Sequence, residues 1–419
     1  MIDIKQLIKN PTLYKVEMSN RSKDETIVDR LVESYSGYLT NLPLLDALRA
    51  QKNTFNETIV SLTNEQKNIA IVEMKKISDE IKTLELKVKT FKDKADELLY
   101  LIPNLTSPQT PIGKDDSFNC VIETIGQKKI FDFVPVNYYD LPLFKRDYLG
   151  QKGVEAFGSR GYYIKGKLAK VQKALFEFVS KSIETAGFEY ISVPIMINEK
   201  TLYGTGFFPG GIEDTYSVTS GDKTFYLVGT SEAPLMYLHS NTTLSLSEPV
   251  KITAQTPCFR KEAGSYGKDV AGGIRVHQFD KVEMVVICKP EESQNVFEEL
   301  VNLTKSNINE LGLNYQLLEI STGDISIKNH RQVDVEAWFP AQGQFRELCS
   351  ASNCTDYQTR TLNITYINKN GDKEIAHSLN CTGVVNRFLY AILEQNQQFD
   401  GSVILPQGLA NIVGFKTLD

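Results

Sequence analysis

The 419 residues contain no uninterrupted apolar run of the ~18 residues that a membrane-crossing helix needs. The first segment, MIDIKQLIKNPTLYKVEM, scatters its charges instead of setting a basic stretch before an apolar one. Neither a span nor a secretory leader is predicted, and a cytoplasmic location with no membrane partner is expected. Cysteine is sparse: six, at 120, 258, 288, 349, 354 and 381, with no CxxC pair. That spacing disfavours a disulfide framework or zinc ribbon and leaves inert thiols as the default. Basic residues are not in excess either. A formal net charge of −6 argues against indiscriminate polyanion binding, so any polyanion must be met by a local patch. Finally, no GxxxxGK[ST] and no strand-linked GxGxxG occur, which disfavours P-loop and Rossmann nucleotide sites. What is present, 41% apolar and 23% charged residues, suits a soluble chain of two or three domains.

Residues 1–103 and 104–419 differ in kind. From Ile77 the apolar positions Ile77, Ile81, Leu84, Val88, Phe91, Ala95 and Leu98 step by four and three, a heptad seam. Val28, Leu31, Tyr35, Tyr38, Leu42 and Leu45 repeat the stepping upstream, and SLTNEQKN near 61–68 is the polar interruption between the two runs. An antiparallel coiled-coil helical hairpin is predicted, with Pro43 kinking or splitting its first helix. An oligomerisation zipper and a binding arm both fit this seam. Along 65–98 eight lysines face eight acidic residues, so the hairpin is not a basic rod.

NLTSPQTPIGKDDSFN then reads as a connector, and the boundaries predicted are 1–103 for the arm, 104–130 for the connector and 131–419 for the second domain. KLAKVQKALFEFVSKSIETAG is an amphipathic helix; FEYISVP, TFYLV, VKITAQ and VHQFDKVEMVVIC are short strands. Alternation without βαβ spacing predicts an α+β domain, an antiparallel sheet flanked by helices. VKITAQTPCF and VHQFDKVEMVVIC form a hairpin whose connection, RKEAGSYGKDVAGGIR, is too long and Gly-rich for a plain turn. Period two sets Val276, Val282, Met284 and Val286 on one face of the second strand and His277, Phe279, Lys281 and Glu283 on the other. That second face is too polar for core. Arg260 and Arg275 stand at the two ends of the connection, and two fixed guanidiniums at one rim suit a triphosphate, though a surface ion-pair network also fits.

The run FRKEAGSYGKDVAGGIRVHQFDKVEM resembles motif 2 of the class II aminoacyl-tRNA synthetases in its seryl-tRNA synthetase form. The resemblance extends along the chain. GFEYISVP, within about 183–194, is similar to motif 1; VGTSEAPL at 228–235 to the serine-binding element; the stretch 321–364 to the segment before motif 3; and NCTGVVNRFLYAILE with DGSVILPQGL, about 379–409, to motif 3. Motif 2 covers about 251–287.

The resemblance implies a serine–tRNA ligase that activates L-serine with ATP to seryl-adenylate and loads tRNA(Ser), and it leaves open whether tRNA(Sec) is also charged. It implies catalytic Arg260 and Arg387, and an ATP site of Arg260, Lys261, Glu262, Arg275, Val276, Phe279, Glu347, Leu348, Cys349, Ser350 and Arg387. Within that site Glu262 takes the adenine amino group, Phe279 its ring, and Arg275 and Arg387 the γ-phosphate. A serine site of Thr230, Ser231, Glu232, Arg260, Glu283, Asn380 and Thr382 is implied, as is Mg²⁺ on Glu347 and Ser350, hard oxygen donors of the kind that cation takes. The family also implies a homodimer through the motif 1 region and tRNA read by the N-terminal arm through shape. A carrier-protein ligase using zinc, with Cys381 near Glu347, and a non-catalytic synthetase-derived adaptor are the rivals. Motif 3 departs from the family: seven residues separate Asn380 from Arg387 where eight are usual, so one of the two is expected to be displaced. Cys381, Ala271 and Tyr138-Tyr139 stand where Gly, Arg and His are usual.

Overall fold

The structure, a computed structural model, describes residues 1–59, 63–263 and 272–419. Part of SLTNEQKN, and Ala271, lie outside them. Contacts divide the chain into two units, Ile2–Pro103 and Asn104–Asp419.

In the first unit two short helices, α1 (Ile4–Lys9) and α2 (Pro11–Asn20), precede two long ones, α3 (Thr26–Thr58) and α4 (Asn64–Leu99). Thr63 opens α4 with a capping box, its backbone N–H donating to Gln66. Leu45, Ile81 and Val88 are buried with Tyr38, Leu42, Leu48, Ile77 and Leu84 packed around them, and Arg49 pairs with Glu85 at 2.8 Å. These contacts run antiparallel along the heptad seam. Of the two outcomes expected at Pro43, a kink or a split, the split does not occur: one helix passes through it. The hydrogen bond it forfeits is to the carbonyl of Leu39, an exposed residue that water can serve, while Leu42 and Leu45 on either side hold the helix to its partner.

The second unit is built on an eight-stranded sheet: β1 (Cys120–Ile125), β2 (Glu189–Tyr190), β3 (Val250–Phe259), β4 (Gln278–Cys288), β5 (Tyr315–Glu319), β6 (Arg331–Phe339), β7 (Gln344–Thr355) and β8 (His377–Val385). Their spatial order is β1-β5-β6-β7-β8-β4-β3-β2, antiparallel throughout except for β2 beside β3. The stretch predicted as a connector supplies edge strand β1. Asn104 at its start donates to the carbonyls of Lys328 and Cys354 at 3.0 and 2.9 Å, so the segment is tied to the sheet by backbone groups that carry no periodicity.

Three helices, α5 (Gly166–Thr185), α6 (Ser293–Glu310) and α7 (Arg387–Gln395), contribute to the main core against one face of the sheet. On β4, Val282, Met284, Val286 and Cys288 enter that core. The opposite face of β4 changes character along its length: Val285 and Ile287 join a second core with Leu235, Met236 and Ile364, whereas Phe279, Lys281 and Glu283 do not. The polar residues there are nevertheless buried, Lys281 at 6% and Glu283 at 2% exposure. They form the floor of a cleft and are not a solvated face.

His377, at the start of β8, is held by burial at a pKa of about 4, the nearby Asp356 carboxylate only partly opposing this. The folded chain therefore binds fewer protons than the unfolded one between pH ~6.5 and about 4, and this group removes stability as the pH falls through that window. His377→Gln is expected to flatten that loss: the difference in Tm between variant and parent should shift in the variant's favour from pH 7 to pH 4.5. Parallel melting curves across that range would refute it.

Candidate active site

Backbone bonds fix the neck of the β3–β4 hairpin. Phe259 pairs with Gln278, the Arg260 N–H donates to His277 O at 3.0 Å, and His277 Nδ1 donates back to Arg260 O at 3.0 Å. Past the neck, Asp214 receives the N–H groups of Lys261 and Ala263 at 2.8 and 3.1 Å. Glu262 between them takes a left-handed backbone, φ 54°, a conformation uncommon outside glycine and asparagine. It aims its carboxylate inward, 3.3 Å from Arg275 and 3.8 Å from Arg160.

An open cleft lies below, bounded by Arg260, Glu262, Phe279, Glu347 and Arg387. The Arg260 guanidinium stands 5.4 Å from the centroid of the Phe279 ring and donates to Gly229 O at 3.3 Å. Arg387 comes from the other side as the first residue of α7. Its Nε donates to Ile274 O at 3.4 Å, and its Nη1 meets both the carbonyl and the carboxylate of Glu347, each at 3.2 Å. Burial would push the Glu347 carboxyl up, but Arg387, Arg260 and Arg275 together hold it below the usual range. Three guanidiniums thus act on one carboxylate. Val276, Leu348 and Cys349, all buried, complete the wall.

Glu347 and Ser350 are three apart, which on a regular strand sends them to opposite faces. The β6–β7 register slips between Val335 and Glu336, so that Cys349 pairs with Val335 but Glu347 with Glu336, leaving Leu348 as the extra residue of a bulge. The bulge returns Glu347 and Ser350 to one side. Asp334, paired with Ser350, shares that side; burial and the Glu347 charge push its carboxyl up to about 7, against the hydrogen bonds of Ser350 and Gln332.

The cleft deepens toward two acids. Lys281 and Thr382 line it, and both reach Glu283: Lys281 as an ion pair and Thr382 through Oγ1 at 3.4 Å. Burial raises the Glu283 carboxyl, Lys281 opposing and Glu232 adding to the shift. Glu232 lies among three donors that converge on its Oε1: Lys328, Gln358 at 2.7 Å and Asn380 at 3.1 Å. Thr230 Oγ1 accepts from the Glu232 N–H at 3.2 Å, while the Ser231 hydroxyl is turned away to Ala254 O at 3.3 Å.

The short motif 3 diverts neither of its ends. The β4–β8 register slips between Thr382 and Val384, Thr382 remains opposite Glu283, and Asn386 alone turns the chain from β8 into α7. Buried Asn386 accepts from the Asp280 N–H at 3.3 Å and donates to Tyr162 OH at 3.1 Å, which ties Arg387 to the strand of Phe279. Cys381 lies 3.2 Å from Thr304 Oγ1, on the core side, and no cluster of metal-ligating His, Cys, Asp and Glu occurs among the described residues. Lys328, Gln358 and Asn386 were not predicted. Nothing in IKNH or DYQT distinguishes them, since only the folded sheet brings them to Glu232 and β4.

An antiparallel sheet carrying arginines from a hairpin and from a strand-to-helix turn over a floor of acids is the architecture of a class II synthetase. The signature of the tRNA synthetase class II core domain (G, H, P, S and T) matches residues 216–396. That of the seryl-tRNA synthetase N-terminal domain matches residues 1–106. A serine–tRNA ligase of Corynebacterium glutamicum is 36% identical over 423 residues, covering 100% of this chain and 98% of that protein. One from Thermobifida fusca is 34% identical, covering 100% and 99%. Seryl-tRNA synthetase from Pyrococcus horikoshii, in a crystal structure complexed with ATP, aligns with a TM-score of 0.91 and 32% identity over 100% of this chain and 99% of that one. The chain belongs to the seryl-tRNA synthetase family.

Proposed function

We propose that the chain is a serine–tRNA ligase: it joins serine to the α-phosphate of ATP, releasing pyrophosphate, and passes the seryl group to the terminal adenosine of tRNA with loss of AMP. The observation that carries this is one cleft lined by Arg260 and Arg387, with Arg275 paired to its Glu262 and with Lys281 and Thr382 of its lining both reaching Glu283, whose carboxyl also feels the charge of Glu232. The nucleophile of the first step is a carboxylate, already anionic, so positioning and charge stabilisation do the work and no general base is needed. Arg260 holds the serine carboxylate against the α-phosphate, and Phe279, beside that guanidinium, stacks on adenine. Glu262 accepts from the adenine amino group while Arg275 and Arg387 take the outer phosphate. Val276 and the Leu348–Cys349 backbone border the nucleotide.

Glu283 receives the serine ammonium. The Oε1 of Glu232 is taken up by three donors, which leaves its other oxygen to accept from the serine hydroxyl, with Thr382 beside it. Alanine would leave that acceptor unpaired and threonine would not fit. Glu347 and Ser350 fit Mg²⁺: the bulge sets two hard oxygen donors on one side with Asp334 adjacent. Bound there, the ion would neutralise phosphate charge. The hairpin α3–α4 is the tRNA arm, the surface around motif 1 (about 183–194) pairs two copies, and 1–103 and 131–419 act as separate functional domains joined through 104–130.

The test is ATP–pyrophosphate exchange with each amino acid in turn. Exchange with serine alone is expected, and exchange with another amino acid, or none, defeats the proposal. Within the same assay, Lys328→Met strands Glu232 without its cation. A buried carboxylate left unpaired costs about 3–5 kcal/mol, so the serine KM is expected to rise about a hundredfold or more while the ATP KM stays within about threefold. An unchanged serine KM would remove Lys328 from the pocket's function.

A further inference from the structure

The run leading into Arg275 is held residue by residue. The carbonyl of Gly272 accepts from Tyr138 OH at 2.7 Å, and that of Ile274 accepts from Arg387 Nε at 3.4 Å. Between them Gly273 lies so close to the hydroxyls of Tyr148 and Tyr390 that a Cβ there would meet them at 2.7 and 2.8 Å. Gly272 and Gly273 have φ of 81° and 80°, which glycine alone adopts without penalty. Beneath them the rings of Tyr138 and Tyr390 stack at 4.7 Å and 10°, both fully buried. The Tyr138 backbone is pinned in turn, its N–H donating to Glu394 in the last turn of α7 at 3.1 Å. Tyr390 OH has no hydrogen-bond partner among the described residues.

Phenylalanine would fill the same volume at position 138 and spare the core a polar atom, so packing does not account for that hydroxyl. Its partner is the backbone three residues before Arg275. We propose that Tyr138 is a positioning residue for nucleotide binding: its hydroxyl latches Gly272, sets the direction in which the chain enters Arg275, and so delivers that guanidinium to the outer phosphate. The proposal rests on Arg275 being a γ-phosphate ligand.

Equilibrium binding of ATP and of AMP to the full-length protein, with melting curves and exchange kinetics alongside, tests it. One hydrogen bond is worth about 0.5–1.5 kcal/mol, so Tyr138→Phe is expected to weaken ATP by about three- to tenfold. AMP affinity and the serine KM should not change, and Tm should fall by no more than the few degrees that one hydrogen bond is worth to folding. ATP and AMP weakened equally, or neither weakened, would overturn it. Tyr390→Phe keeps the ring stack and removes a hydroxyl that bonds nothing in the described structure, and it is expected to retain the parent's preference for ATP over AMP. A loss as large as that of Tyr138→Phe would assign the effect to the stack and overturn the latch. Arg275→Gln separates the two levels. It is expected to cut the preference for ATP by more than Tyr138→Phe does, Arg387 still holding the outer phosphate; if it does so while Tyr138→Phe leaves the preference unchanged, the latch falls and the role of Arg275 stands. If Arg275→Gln keeps the preference, the role of Arg275 falls and the latch's function with it.

Discussion

Arg260→Gln is expected to lower kcat/KM for serine-dependent ATP–pyrophosphate exchange by a factor of about a thousand, with Tm almost unchanged. The guanidinium is only partly buried and, among the described residues, its direct hydrogen bond is to a loop carbonyl, that of Gly229, so folding depends on it little. In the proposed reaction it holds two anions together. Removing one preorganised donor from such a site costs about 10²–10³ in rate, and here the lost group also carries a full charge that aligns serine with the α-phosphorus. Lysine restores charge but not the planar fork that spans two oxyanions, so Arg260→Lys should recover less than a tenth of the parent's activity. A glutamine variant retaining more than a tenth would refute the assignment.

Removing residues 28–100, with a short Gly/Ser bridge in their place, is expected to leave exchange within about threefold of the parent and to abolish aminoacylation of tRNA. Arm and sheet are separate compact units, each with its own buried cluster, and the adenylation site is assembled within 104–419. With eight lysines and eight acids along 65–98, the arm cannot act as a polycation, so it has to recognise RNA by shape and a few placed contacts. Charging should therefore weaken only modestly with salt. Loss of exchange together with charging would make the hairpin a structural support and not an RNA-binding element.

Periodicity made the hairpin and the sheet legible. Heptad stepping gave the seam of α3 and α4, and alternation gave β4 with its buried Val282, Met284 and Val286. The family resemblance named Arg260, Glu262, Phe279, Glu347 and Arg387, which the structure brings to one cleft. What the sequence withheld depends on register and on contacts between distant segments. Period two marks the face of Lys281 and Glu283 as too polar for core, but that these two are buried follows only once β4 lies in mid-sheet, flanked by β3 and β8. Lys328 and Gln358 meet Glu232 across 96 and 126 residues of chain. The missing residue of motif 3 looked like a displacement because count alone cannot show that Asn386 makes the whole turn into α7. Pro43 leaves α3 unbroken for the converse reason: its local penalty is small where the forfeited carbonyl faces water and the neighbouring leucines are packed.

The bulge at Leu348 makes β7 sensitive to length in a way that it is not to side-chain identity. A strand with period two keeps its phase under any substitution, but deleting one residue between Glu347 and Ser350 would cancel the extra step and turn one of these oxygen donors into the core. Single-residue deletions scanned along β7 should therefore be far more damaging at 348–349 than point changes there, and a compensating insertion in the same interval should rescue them. Among relatives of this chain, gaps within that four-residue window should be the rarest of any in the sheet.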